Sequence, residues 1–160
     1  LSYQQLAGIY SALTIEANYN NDMREYQKPS TMCRELSHLR GFMREDEANY
    51  IAYLACKNSG IPSFQYSGAM LAFVHATNAL YGEDAEVYWE IRESLPEQVK
   101  QEWGAGGEWW AQYEGPVAEA YDRGADAFLK ANGQADGTKS YGRMVDLLLA
   151  DYRKQKEDME

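Results

Sequence analysis

From Pro29 onward, prolines fall where helices can start and glycines where they can stop, and the segments between them carry apolar residues at helical spacing. Pro29 suits a first helical position and Gly41 suits a left-handed closing residue, so a helix is expected over Pro29–Gly41. The next runs from about Arg44 to Asn58 and stops before Gly60 and Pro62. Ser63 is expected to cap a long apolar helix to Tyr81, in which Gly68–Gly82 reads as buried core. Glu83–Glu93 is a short amphipathic helix, and Ser94-Leu95-Pro96-Glu97 has the spacing of a capping box. Gly104–Gly107 is expected to break the chain before Glu108–Tyr113, and Pro116–Asn132 forms a further helix closed by Gly133. Gly133–Lys139 reads as a loop. Ser140 then opens the last helix, with Met144, Val145, Leu147, Leu148 and Tyr152 as its buried side, and Arg153–Glu160 as a solvated, fraying end.

Upstream of Pro29 the signal is less regular. Ser2 and Gln5 have capping-box spacing, and Leu6, Ile9, Tyr10 and Leu13 share one helical face, so a helix is expected from Ser2 to about Ile15. Glu16–Gln27 is polar and lacks helical periodicity; it reads as a loop with one short strand at Glu16–Asn20. The fold class is mainly α with at most a short edge strand or small sheet. A length of 160 residues suits one domain over 1–160, with 45% hydrophobic and 25% charged residues as in ordinary globular chains.

Charge excludes a class of partner. Lys and Arg total 15 against 25 Asp and Glu, a formal charge of −10, and no basic patch interrupts it, so no nucleic-acid partner is expected. No apolar run reaches the roughly 20 residues that span a bilayer. Leu1-Ser2-Tyr3 lacks the basic flank of a signal peptide and reads as the start of a soluble fragment or processed product. The two cysteines, Cys33 and Cys56, either pair or stay free.

The chemistry concentrates in Cys33-Arg34-Glu35-Leu36-Ser37-His38 and the residues after it. Glu35 and His38 are three apart on the expected helix, and Arg34 lies four before His38. In zinc peptidases two histidines at i and i+4 present nitrogens from one helical face to a tetrahedral metal, and the glutamate after the first deprotonates the metal-bound water. A third ligand must come from elsewhere. Gly41 lets the chain turn back, and Glu45 opens the next helix, where Glu45-x-x-Ala48-Asn49 has the spacing of a gluzincin glutamate helix. Asn49, one turn beyond Glu45, is placed to orient it, whereas Asp46 and Glu47 read as first-turn acids complementing the helix dipole.

Pro29–Cys56, with Tyr113-Glu114-Gly115-Pro116, Leu129–Gln134 and Ser140–Asp146, resembles an uncharacterised bacterial family of membrane-anchored proteins grouped with the HExxH zinc peptidases. The likeness implies a zincin-like domain built around residues 28–58. It also implies amino-terminal transmembrane helices outside this sequence, a place on the extracytoplasmic face of a bacterial cell, and a chain shortened between Ile15 and Glu16. It implies peptide or protein substrates and zinc as cofactor, with Glu35 as general base and His38 and Glu45 as ligands. The family's first motif histidine falls at Arg34, and a guanidinium neither deprotonates at neutral pH nor ligates a cation. Zinc binding is therefore expected to be weak or absent, with Arg34 in the metal's space and hydrogen-bonded to Glu35 or Glu45.

The resemblance further suggests Tyr141 and Arg143 as oxyanion-stabilising residues at the entry to the last helix, against the plainer reading of a packed ring and an Arg143–Asp146 pair. Glu16–Asn20 is suggested as the edge along which an extended substrate adds as a strand. His75, the second of the two histidines, reads as a core histidine, and Cys33 as packing. The function expected is a zinc-metallopeptidase-type domain with a metal site impaired by Arg34. The alternatives are a non-catalytic pseudo-peptidase that binds peptide or protein, and an otherwise active enzyme carrying Arg34 as an isolated substitution.

Overall fold

The computed structural model describes residues 1–131 and 143–159, apart from the side chain of Phe128. It is mainly helical, with one small antiparallel sheet. A 3-10 turn at Ser2–Gln4 leads into strand β1 (Gly8–Ser11), which pairs with β2 (Glu16–Tyr19) so that Gly8 faces Tyr19 and Ser11 faces Glu16. The short strand expected at Glu16–Asn20 is β2.

The helix expected over Ser2–Ile15 does not form. Gln5 takes a left-handed φ of 54° and ends the turn. The Ser2 hydroxyl caps no helix; it accepts a bond from Asn20 Nδ2 at 3.0 Å. The Asn20 backbone N–H donates to Ala7 at 2.7 Å, tying the hairpin's open end. The Leu6–Leu13 periodicity misleads because Gly8 interrupts it and Ile9-Tyr10 prefers extended backbone. Leu13, assigned to the buried face, is 98% exposed at the hairpin tip.

A second 3-10 turn, Glu25–Gln27, feeds α1 (Lys28–Leu39), followed by α2 (Glu45–Lys57) and α3 (Pro62–Glu83). Pro29 and Pro62 stand in the first turns of α1 and α3, where a missing N–H costs nothing, and the N-cap of α3 is Ile61, with no side-chain cap from Ser63. Gly41 (φ 98°) and Gly60 (φ 71°) supply the left-handed turns between them. Ala48, Ala52 and Cys56 of α2 are fully buried. On α3, Ser67, Gly68, Met70 and Thr77 are buried, so this helix is less enclosed than its apolar sequence suggested. A Cβ on Gly68 would lie 2.5 Å from Cys56 Cβ and 3.3 Å from the Tyr53 carbonyl, which sets how closely α2 and α3 approach. Cys33 and Cys56 are free thiols, the Cys56 S–H donating to Cys33 Sγ across 3.8 Å. That bond draws the Cys33 thiol down to about 7 against its partial burial, and pushes Cys56 up.

Helix α4 (Ala85–Ser94) is capped by Asp84, whose Oδ1 accepts from Val87 N at 3.1 Å. Helix α5 runs unbroken over Glu97–Ala111, so the break expected at Gly104–Gly107 is absent. Each helical glycine costs about 1 kcal/mol. Tertiary packing overrides that here: Trp103 lies edge-on to Phe73 of α3 at 5.3 Å, and buried Gly106 leaves no room for a Cβ against the Tyr26 hydroxyl. The expected capping box is also absent, because Ser94 ends α4 with its hydroxyl on the Ile91 carbonyl at 2.7 Å and no side chain caps α5.

Helix α6 spans Pro116–Ala131 and α7 spans Met144–Glu157. The expected Gly133–Lys139 loop and Ser140 start lie outside the described residues. Helix α7 packs on α2 and α3 and its Met144 is fully buried, while Tyr152 is 66% exposed rather than buried. Its charged end stays helical to Glu157 instead of fraying from Arg153. Among the described residues no helix is long and apolar enough to cross a membrane.

Candidate functional site

Helix α1 places Arg34, Glu35 and His38 on one side, with Glu35 and His38 buried. After α1 the chain turns at Gly41 and returns, so that Phe42 lies beneath His38. The ring's Nδ1–H donates to the Phe42 carbonyl at 2.8 Å, which fixes the imidazole and turns Nε2 toward Glu45 Oε1, 3.5 Å away at the start of α2. Burial disfavours the charged ring. The hydrogen bond and charge of Glu45, the Phe42 carbonyl and the charge of Glu35 together outweigh it and raise the His38 pKa.

Arg34 occupies the remaining side of this cluster. Its Nε and Nη2 both donate to Glu35 Oε1, at 3.0 and 2.5 Å, and its Nη1 lies 4.0 Å from Glu45 Oε2. That Glu45 oxygen is buried without a hydrogen bond, so the guanidinium balances its charge without a direct donor contact. Strand β1 presses on the pair from outside: a Cβ on Gly8 would lie 2.5 Å from Glu35 Oε1 and 2.7 Å from its Cγ. Only glycine lets the strand approach this closely.

The four residues singled out in sequence therefore converge. They open onto a cleft of about 1570 Å³ bounded by the 3-10 turn, β1, the α1–α2 junction and α6. The strand along the cleft is β1, through Gly8, Ile9 and Tyr10, and not β2, which contributes no lining residue. A second cavity of about 200 Å³ meets the cleft at Arg34 and Ala7 and is lined on its far side by Met70, Val74, His75 and Trp110. His75 is half-buried on α3, its pKa lowered first by burial and then by the charge of Arg34.

Other expected residues fall elsewhere. Asn49 is buried but faces the small cavity and makes no hydrogen bond to Glu45. Arg143 has a half-exposed side chain whose Nε lies 4.0 Å from Asp146 Oδ2. Tyr141 lies outside the described residues. Asp46 pairs with Arg44 at 2.7 Å and Glu47 stays near the surface, as first-turn acids should. The residue missed in sequence is Tyr121 of α6, which lines the cleft and whose pKa is raised by burial, then by Glu45 and Glu35. No local motif marks it, because it reaches the site only through the packing of α6.

The donor set does not fit a zinc ion. A structural or catalytic zinc needs at least three good protein ligands. Here His38 and Glu45 are two, and a permanent cation holds the third corner and already engages Glu35. Among the described residues no three His, Cys, Asp or Glu side chains are grouped to hold a metal ion.

A mainly helical domain with a buried Arg–Glu–His–Glu cluster at the foot of a cleft is the class this geometry defines. The chain belongs to the family described as "Protein of unknown function (DUF3810)", whose match covers residues 1–149. No curated protein and no solved structure matches it.

Proposed function

We propose that this is a zinc-metallopeptidase-type domain, zincin-like in descent, whose metal centre is closed by Arg34 and whose cleft binds an extended peptide or protein segment without cutting it. The reading extends the resemblance of Pro29–Cys56 to HExxH peptidases. In an intact relative the residues matching Arg34, His38 and Glu45 would hold zinc and the one matching Glu35 would activate water. The observation that carries the proposal is the position of Arg34: its guanidinium binds the would-be general base at 2.5 Å and faces the would-be third ligand at 4.0 Å. The ion pair commits Glu35 Oε1 to Arg34, so that oxygen is not open to take a proton from water. Among the described residues β1 pairs only with β2, and the groups of β1 that line the cleft beside Glu35 support strand addition along β1 in place of β2. The same descent places the domain beside a membrane on the outer face of a bacterial cell, with peptide or protein partners and no nucleic acid.

The test compares the natural chain with Arg34→His. After zinc loading and gel filtration, R34H is expected to keep about one zinc per chain and to cleave casein, while the natural chain does neither. Stoichiometric zinc and casein cleavage by the natural chain would overturn the role given to Arg34. Failure of folded R34H to retain zinc would overturn the descent from a zinc site.

A further inference from the structure

Outside the cleft, one pair of reactive groups is unused by the proposed function. Cys33 on α1 and Cys56 on α2 put their sulfurs 3.8 Å apart, on the two helices that carry the Arg34–Glu35–His38 and Glu45 groups. Their surroundings differ. Cys56 is fully buried, and its Cβ is hemmed in by Gly68 of α3; Cys33 is partly exposed. A disulfide needs sulfurs about 2.0 Å apart. The closing movement therefore falls on the Cys33 side chain, since Cys56 has no free space behind it.

We propose that Cys33 and Cys56 are a modification site: an oxidisable dithiol that closes into an intrachain disulfide and staples α1 to α2. The co-reactant is a small-molecule disulfide, RSSR. The Cys33 thiolate, having given its proton to solvent, attacks one sulfur of RSSR, forming a mixed disulfide and releasing RS⁻, which takes up a proton. The Cys56 thiol then loses its proton and attacks Cys33 Sγ, breaking the mixed bond and releasing the second RSH. Two protein thiols lose two electrons and two protons in all, and RSSR becomes two RSH. Partial exposure makes Cys33 the entry point, and burial makes Cys56 the resolving thiol, reachable only from Cys33. This inference stands on the sulfur geometry and holds whether or not the cleft binds peptide.

The test incubates the folded natural chain with oxidised glutathione, blocks remaining thiols under denaturing conditions, and maps peptides without reductant. The expected result is loss of both titratable thiols, a mass lower by two hydrogens, and a Cys33 peptide linked to a Cys56 peptide, with an upward shift in Tm reversed by reductant. Cys56→Ser is expected to accumulate a glutathione adduct on Cys33, and Cys33→Ser to keep Cys56 reduced. Two thiols still free in the natural chain, a lasting glutathione adduct there, or cross-linking only between chains would each overturn the proposal.

Discussion

Glu35 is a carboxylate 2% exposed to solvent whose nearest opposite charge, Arg34, is itself only 18% exposed. Removing one partner of such a pair strands the other in a medium that solvates it poorly, at a cost of about 3–5 kcal/mol. Arg34→Ala is therefore expected to lower stability by about 3 kcal/mol, and the R34A/E35Q double variant by clearly less than the sum of the two single changes. Urea unfolding of the four proteins measures the coupling; strict additivity would mean that the contact carries no stability. His38 yields a second expectation at this scale. Its Nδ1–H is committed to Phe42, so a neutral ring would turn a lone pair toward Glu45, and the charged form is favoured. A pKa raised above the unfolded value of about 6.5 means that the folded state holds the proton more tightly. The stabilisation is then fully present below pH of about 6.5 and fades as pH rises through the folded value. The stability difference between the natural chain and His38→Asn should be largest near pH 6 and smaller near pH 8, as a rough window around that titration. A difference that does not change with pH would contradict a protonated ring.

At the scale of elements, two glycines determine how closely segments approach. Gly8→Ala forces β1 away from Glu35, and Gly68→Ala forces α3 away from Cys56 and the Tyr53 carbonyl. Each is expected to cost about 1–3 kcal/mol, as overpacking does. The Gly8 cost should shrink in a Glu35→Ala background, where the obstructing side chain is gone, whereas the Gly68 cost should not. Denaturant midpoints of the single and double variants decide this. These contacts also explain what was legible beforehand. Helices α1, α2, α3 and α6 could be read from proline starts, glycine stops and apolar spacing, all of which are local. Gly41 and Glu45 could be placed beside His38 for the same reason, because a short connection between two helices leaves few geometries. Of the hairpin, β2 is legible and β1 is not, because a four-residue strand carries too little alternation to compete with a chance helical pattern in Leu6–Leu13. The continuity of α5 was hidden because its glycines are overridden by contacts with Phe73 and Tyr26, distant in sequence. Tyr121 and the role of β1 at the cleft depend on how α6 and the hairpin dock, which no single segment encodes.

At the scale of the whole molecule, a charge of −10 is not spread evenly with respect to the cleft. Glu35, Glu45, Glu114, Glu119 and Asp122 line it, against Arg34 and His38, and Arg34 is already engaged by Glu35. The field in the cleft is therefore negative, and low-dielectric walls concentrate it. A peptide laid along β1 gains from lysine or arginine side chains and loses from acidic ones. Extended peptides of equal length and apolar content should bind in the order basic, neutral, acidic. The preference should weaken as salt rises through the range where the screening length falls below about 10 Å. Fluorescence anisotropy with labelled peptides at several salt concentrations measures both. Charge reversal at Glu119 and Asp122, which sit on α6 away from the buried cluster, should reduce the preference while leaving Tm nearly unchanged. Equal affinity for acidic and basic peptides, insensitive to salt, would place recognition in apolar contacts such as the small cavity beside Arg34 rather than in the field of the cleft.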